Sequence, residues 1–283
     1  MALNQEDILT RASAPEGDTA PMPTVLLVFA HPENATIALG ARIARFRDAH
    51  YILVTDGAPR SEMDSLTHGF SSWKEYRDAR ARELTAMLRL AGLGHMSREC
   101  FAIPDQQACF RLAELTRWLA QRIQDIQPEI VLTHPYEGGH PDHDACAFAV
   151  HHACALAHCA EKSQPVIVEG AFYHAGPDVI ETEAFLPAPT PVSETVRPLT
   201  PREQSRKRER MDCFVTQQTT LAQFPCDSER FRIAPDYDFT LPPHPGPTLY
   251  DNFSWEMTSG RFCRLAEDAS RHLRQEQEAS RGR

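Results

Sequence analysis

Apolar residues run along this chain in two rhythms. Residues 24–30 (TVLLVFA), 50–55 (HYILVT) and 129–133 (EIVLT) are short, nearly continuous apolar runs rich in β-branched residues. Such runs fit strands buried on both faces. Residues 100–103 and 165–173 read as two further strands. Between the runs the period lengthens. Leu112, Leu115, Leu119, Ile123 and Ile126 fall on one face at helical spacing, which predicts a helix over 110–126. Helices are likewise predicted over 35–46 and 73–91, the latter with Gly92 just past its end, where a C-cap glycine belongs. Another is predicted from the end of the HPYEGGHPDHD loop to about residue 160. Residues 58–72 read as a polar loop. Strands alternating with helices of this length predict an α/β domain, a mostly parallel sheet with helices on both faces.

After residue 165 the texture changes. Thirteen of the 22 prolines lie between Pro165 and Pro247. The stretch LPAPTPVSETVRPLTP (186–201) is incompatible with a continuous helix or a central strand. Helices are predicted over 202–224, where RKRER reads as a solvated face, and over 261–279. The expected organisation is a flexible N-terminal tail over 1–22, a single α/β domain over 23–270 with an elaborated proline-rich C-terminal third, and a helix end over 271–283.

Composition narrows the classes. A 42% apolar content over 283 residues supports a buried core and excludes wholesale disorder. The formal net charge of −10 argues against a nucleic-acid or membrane-surface partner. No apolar run reaches the roughly 18 residues of a membrane span, and residues 1–23 lack the basic and apolar segments of a signal peptide. Eight cysteines without a CxxC pair read as reduced packing residues, so a cytoplasmic location is expected. No P-loop, GxSxG elbow or dinucleotide fingerprint is present.

Histidine is the candidate chemistry. Six of the 13 lie between His134 and His158. Two His-bearing turns follow predicted strands: His31-Pro32-Glu33-Asn34 after the first, and His134 to His143 after the fourth. In an open parallel sheet, ligands bind outside the carboxyl ends of strands. Imidazole with carboxylate is a ligand set for catalytic zinc, and a neighbouring carboxylate serves as general base. Both turns also suit simple helix capping, by Asn34 and by Asp142.

HPYEGGHPDHDA (134–145) and AHP (30–32), supported by VTDGAPR (54–60), the Arg80-x-x-Glu83 pair, IPDQ (103–106) and PPHPG (242–246), resemble the PIG-L/LmbE-like zinc deacetylases. The resemblance covers most of residues 24–265. It implies a Rossmann-like fold, zinc, and removal of an acetyl group from a small acetamido-sugar conjugate of the N-acetylglucosamine type. It also implies that homo-oligomers are an option. Carried over position by position, His31 and His143 match the two zinc-ligating histidines. His140 matches the oxyanion-stabilising or amine-protonating histidine, and Asp142 a carboxylate that orients such a histidine. Arg80 and Asp105 match substrate-pocket positions.

The chain departs from the family at its first motif. The family pattern His-Pro-Asp-Asp is here His31-Pro32-Glu33-Asn34. Glu33 keeps the acid of the general base with one more methylene. Asn34 keeps the shape of the third zinc ligand without its charge. The expected consequences are zinc held weakly through His31, His143 and Asn34 with Glu33 as base, Glu33 turned onto the metal with no obvious base left, or no metal at all. The alternative to a hydrolase is a catalytically weakened relative that binds a sugar-like ligand.

Overall fold

The computed structural model describes residues 4–157, 164–176, 180–188 and 190–281. Its centre is a seven-stranded sheet in the order β3-β2-β1-β4-β5-β9-β8. The strands are β1 (Val25–Phe29), β2 (His50–Thr55), β3 (Arg98–Ile103), β4 (Ile130–Thr133), β5 (Val166–Gly170), β8 (Glu194–Pro198) and β9 (Ser228–Ile233). The five strands from β3 to β5 are parallel, while β9 and β8 are antiparallel additions. A separate hairpin joins β6 (Tyr173–Ala175) to β7 (Ile180–Thr182).

The helices are α1 (Gln5–Ala12), α2 (Asn34–Leu39), α3 (Glu62–Thr67), α4 (Trp73–Leu90), α5 (Leu112–Ile126), α6 (Pro141–Ala157), α7 (Pro201–Met211), α8 (Gln218–Leu221) and α9 (Ser259–Arg281). Two apolar cores form, one on each face. Leu27, Phe29, Tyr51 and Leu53 face residues of α2 and α4. Leu26, Val28, Ile52 and Val131 face α5, α6 and α9. Alternate residues of β1, β2 and β4 feed opposite cores, which is why these strand sequences are almost continuously apolar. No helix among the described residues is long and apolar enough to cross a membrane.

The sheet order reverses between β1 and β4, which pair directly, with Leu26 opposite Val131. This switch point sets the loops after β1 and β4 side by side at the carboxyl edge.

Several expectations change. Residues 5–12, placed in a flexible tail by their polarity, form α1 and bury Ile8, Leu9 and Ala12. The helix predicted over 35–46 stops at Leu39, followed by a short 3-10 turn at Ile43–Phe46. There, Arg210 Nη1 donates to the Gly40 carbonyl at 2.7 Å, and the Ala41 N–H donates to Glu229 Oε1 at 2.8 Å. These buried charges take backbone groups that a continuing helix would pair internally. Only part of the RKRER run is a solvated face, with Arg208 and Glu209 exposed. Lys207 and Arg210 are buried, on Glu183 at 2.9 Å and Glu16 at 2.7 Å respectively.

The proline-rich third supplies β8, at the edge of the sheet, and β9 inside it, two strands that the sequence pattern did not predict. Residues 62–67 of the expected polar loop are α3. The predicted continuation of α6 to residue 160 lies outside the described residues, as does His158.

Candidate active site

The two switch-point loops are short and internally braced. The Asn34 N–H donates to the His31 carbonyl at 3.1 Å, and Asn34 Oδ1 accepts the His31 N–H at 2.7 Å. This reciprocal pair fixes His31 just beyond β1. In the second loop, His134 Nε2 accepts the Ala30 N–H at 3.0 Å, tying the ends of β1 and β4 together. Its ring stacks on His143, with centroids 4.1 Å apart. Gly139 lets the loop press against β6, since a Cβ there would lie 2.1 Å from the Tyr173 carbonyl oxygen.

His31, His140 and His143 converge as expected, and all three are buried. His31 Nδ1 faces His143 Nε2 at 3.3 Å. The other nitrogen of His31, Nε2, lies 3.0 Å from Asp105 Oδ1 and 3.3 Å from Asp142 Oδ2. Asp105, expected at the substrate pocket, is therefore also a direct partner of His31. His31, Asp105, His140 and Asp142 form a second cluster able to hold a metal ion.

Asp142 behaves differently from the expectation that its carboxylate orients a histidine of the His140 type. The carboxylate accepts the Gln106 N–H at 2.6 Å and the Ala108 N–H at 2.9 Å while facing His31. Its backbone N–H, at the start of α6, donates to His140 Nδ1 at 3.1 Å. A neutral His140 therefore carries its proton on Nε2, a donor 3.8 Å from Asp105 Oδ1. Asn34 likewise takes a local role, because the oxygen expected on the metal is engaged with the His31 amide.

Arg80, on α4, is buried behind the cluster. Its Nη2 pairs with Glu33 Oε2 at 2.5 Å. Its Nη1 donates to Asp105 Oδ2 at 3.2 Å and also to the Gly57 carbonyl. Arg80 thus positions Glu33 and Asp105. Glu33 Oε1 has no protein partner among the described residues, and Glu33 lines the cavity.

Burial and charge set the protonation pattern. Burial pulls His31 down, but Asp105 and Asp142 outweigh it and raise it to about 10. His140 is pushed down to about 3 by burial and by the neighbouring His31 charge, against the pull of Asp105. Burial, then the surrounding imidazoles, hold His143 and His134 well below the ordinary histidine range. Burial would raise Asp105, but the charges of His31, His140 and Arg80 lower it overall.

The cluster floors a cavity of about 380 Å³, within the size range of small-molecule sites. Tyr173, Tyr76, Gln217, Phe253 and Trp255 also line it. Sequence reasoning did not select these residues. The only local signal was aromatic residues in the otherwise polar segment DNFSWE. Tyr136 and Glu137 brace the loop instead. Tyr136 Oη donates to the Leu241 carbonyl at 2.9 Å, and Glu137 Oε1 accepts the Leu186 N–H at 2.7 Å.

Fold and site together define an α/β protein with a buried His/Asp cluster, suited to a metal ion, at the sheet's switch point. Residues 26–154 match the family model described as PIG-L: GlcNAc-PI de-N-acetylase. The chain is 31% identical over 142 residues to the 1D-myo-inositol 2-acetamido-2-deoxy-alpha-D-glucopyranoside deacetylase of Thermomonospora curvata. That match covers 42% of this chain, and the chain spans about half (48%) of that relative's length.

Solved structures establish the fold. A teicoplanin deacetylase in its zinc-inhibited form superposes with a TM-score of 0.56 at 16% identity, over 76% of this chain and all (100%) of the other. The N,N'-diacetylchitobiose deacetylase of Pyrococcus horikoshii gives 0.52 at 18% identity, over 75% of this chain and 84% of the other.

Proposed function

We propose that this protein is a zinc-dependent N-deacetylase that hydrolyses the acetamide of a small N-acetylglucosamine-type conjugate. The observation carrying this reading is the His31 Nδ1 to His143 Nε2 separation of 3.3 Å at the switch point. Two nitrogens bound to one tetrahedral zinc at about 2.0–2.1 Å each stand about 3.3 Å apart.

The donor chemistry fits as well. His143 is held neutral, with a lone pair available. The Nε2–H of His31 is directed at Asp105 and Asp142, the outer-sphere carboxylate arrangement that orients a metal-bound imidazole. His31 and His143 would hold the ion. Asn34 supports His31 through its amide, and Asp105 and Asp142 supply the negative charge that Asn34 lacks. When bound, zinc lowers the pKa of water and polarises a carbonyl oxygen.

The remaining steps belong to the side chains. Glu33 Oε1 accepts the proton of the attacking water, while Arg80 fixes Oε2 so that the carboxylate cannot swing away. The same Glu33 then delivers that proton to the leaving amine nitrogen. His140 donates from Nε2 to the carbonyl oxygen as negative charge develops there. Its Nδ1 accepts the Asp142 N–H, so the proton it offers to the substrate sits on Nε2. The retained donor geometry of His140 favours hydrolysis over a purely binding role.

The test is acetate release from N-acetylglucosamine conjugates by the zinc-supplemented full chain, with zinc content measured in parallel. Glu33→Gln should lower kcat by about 10²–10⁴-fold with bound zinc unchanged. Zinc-loaded wild-type protein that releases no acetate, or a Glu33→Gln variant as active as wild type, would overturn the reading.

A further inference from the structure

The cavity is asymmetric beyond the reacting centre. On one side Phe253 and Trp255 are stacked, with centroids 4.5 Å apart and planes 17° apart. Trp255 packs in turn on His140, at 4.9 Å. Phe253 is 47% exposed, although a ring of that size ordinarily seeks burial. Both rings line the cavity and lead outward from His140.

The charged lining is equally one-sided. Glu33, Asp64 and Asp105 contribute carboxylates, and Arg80 is the one guanidinium among the described lining residues. The Arg80 guanidinium is already committed to two ion pairs, Nη1 with Asp105 and Nη2 with Glu33, and Nη1 also serves the Gly57 carbonyl. Beyond the reacting centre, a phosphate or carboxylate on the ligand would meet Asp64 and find no lysine or uncommitted arginine among the described lining residues. The polar donors that remain are amides and hydroxyls, such as those of Gln223 and Thr220.

We infer that the group attached to the amino sugar is uncharged and carries an apolar or aromatic face, which lies on the Phe253–Trp255 pair. This rests on the deacetylase reading and adds to it the class of the conjugated partner. The physics is ordinary. An aromatic face gains stacking and area burial against the exposed ring, while a phosphate would be desolvated beside carboxylates and lose affinity.

Calorimetric binding to the full chain separates this inference from the activity itself. The ligands are phenyl, methyl and 1-phosphate derivatives of N-acetylglucosamine. The phenyl glycoside should bind about five- to tenfold more tightly than the methyl glycoside, and the 1-phosphate more weakly than both. Phe253→Ala should bring the phenyl-to-methyl ratio close to one, and Phe253→Tyr should preserve it.

Equal affinity for phenyl and methyl glycosides, a preference for the phosphate, or a ratio unchanged in Phe253→Ala would overturn the inference. Acetate release measured on the same ligands reports on the deacetylase reading alone. Selective binding without turnover would defeat that reading and leave the aromatic subsite standing.

Discussion

Glu137 offers a quantitative test of how burial and charge compete beside the site. It shares Arg232 with Glu169. Arg232 Nη2 lies 3.1 Å from Glu137 Oε1, and Arg232 Nε lies 2.7 Å from Glu169 Oε2. Tyr237 Oη closes the group by donating to Glu169 at 2.8 Å. One guanidinium thus faces two buried carboxylates, and Glu137 Oε2 has no partner among the described residues. Burial raises Glu137 to about 8; Arg232 opposes the shift, and Glu169 adds to it.

The folded value therefore lies above the ordinary 4.5. The native state holds this proton more tightly than the unfolded chain. Its contribution to stability is complete below about pH 4.5 and is lost as pH rises through about 8. The slope is about 1.4 kcal/mol per pH unit, so the full interval is worth on the order of 5 kcal/mol. Glu137→Gln keeps an acceptor for Leu186 and Arg232 and cannot ionise. Thermal melts of both proteins from pH 5 to pH 8, in chelator, should start close together. The variant should then gain about 3–5 °C on the wild type per pH unit. Parallel curves would mean that Arg232 keeps Glu137 ionised throughout, and would refute this account of burial.

Two further variants probe the cluster. Asp142→Ala strands the half-buried Gln106 and buried Ala108 amides and removes a partner of His31. We expect a loss of about 3–5 kcal/mol in chemical denaturation and zinc affinity lowered by about 10–100-fold in a competition titration; unchanged affinity would remove Asp142 from the support of His31. Asn34→Asp keeps an acceptor for the His31 N–H and adds a negative charge beside the imidazole pair. Zinc affinity should rise at least about tenfold, measured against a chromophoric chelator, and an unaltered affinity would show that position 34 exerts no charge on the metal.

Much of the architecture was legible in the sequence. β1, β2 and β4 are the apolar runs, because a strand buried on both faces has no polar positions to disguise it, whereas β3, at the sheet edge, is largely exposed. The elements legible least well depend on partners distant in sequence. β8 carries polar residues and a terminal proline, and only its pairing with β9, Val196 opposite Arg230, makes it a strand. RKRER looked solvated because the carboxylates that neutralise Lys207 and Arg210 lie at Glu183 and Glu16. α1 looked like a tail because three apolar residues in eight suffice to dock a helix onto an existing core, and they are too few to mark a helix by pattern alone.

The candidate site divides in the same way. Local sequence determined which residue types stand after which strands: an imidazole, an acid and an amide after β1, and two imidazoles around an acid after β4. It also determined that Asn34 carries no charge. Tertiary structure decided how those groups are used. The pairing of β1 with β4 brought His31 Nδ1 to 3.3 Å from His143 Nε2, across 112 residues. The same fold turned the Asp142 carboxylate toward His31 and left its amide for His140, and it closed Arg80 onto Glu33 and Asp105. The physical reason is directional. A motif specifies donors and acceptors, but which of two imidazole nitrogens, or which end of an aspartate, meets a given partner depends on the placement of several strand ends at once.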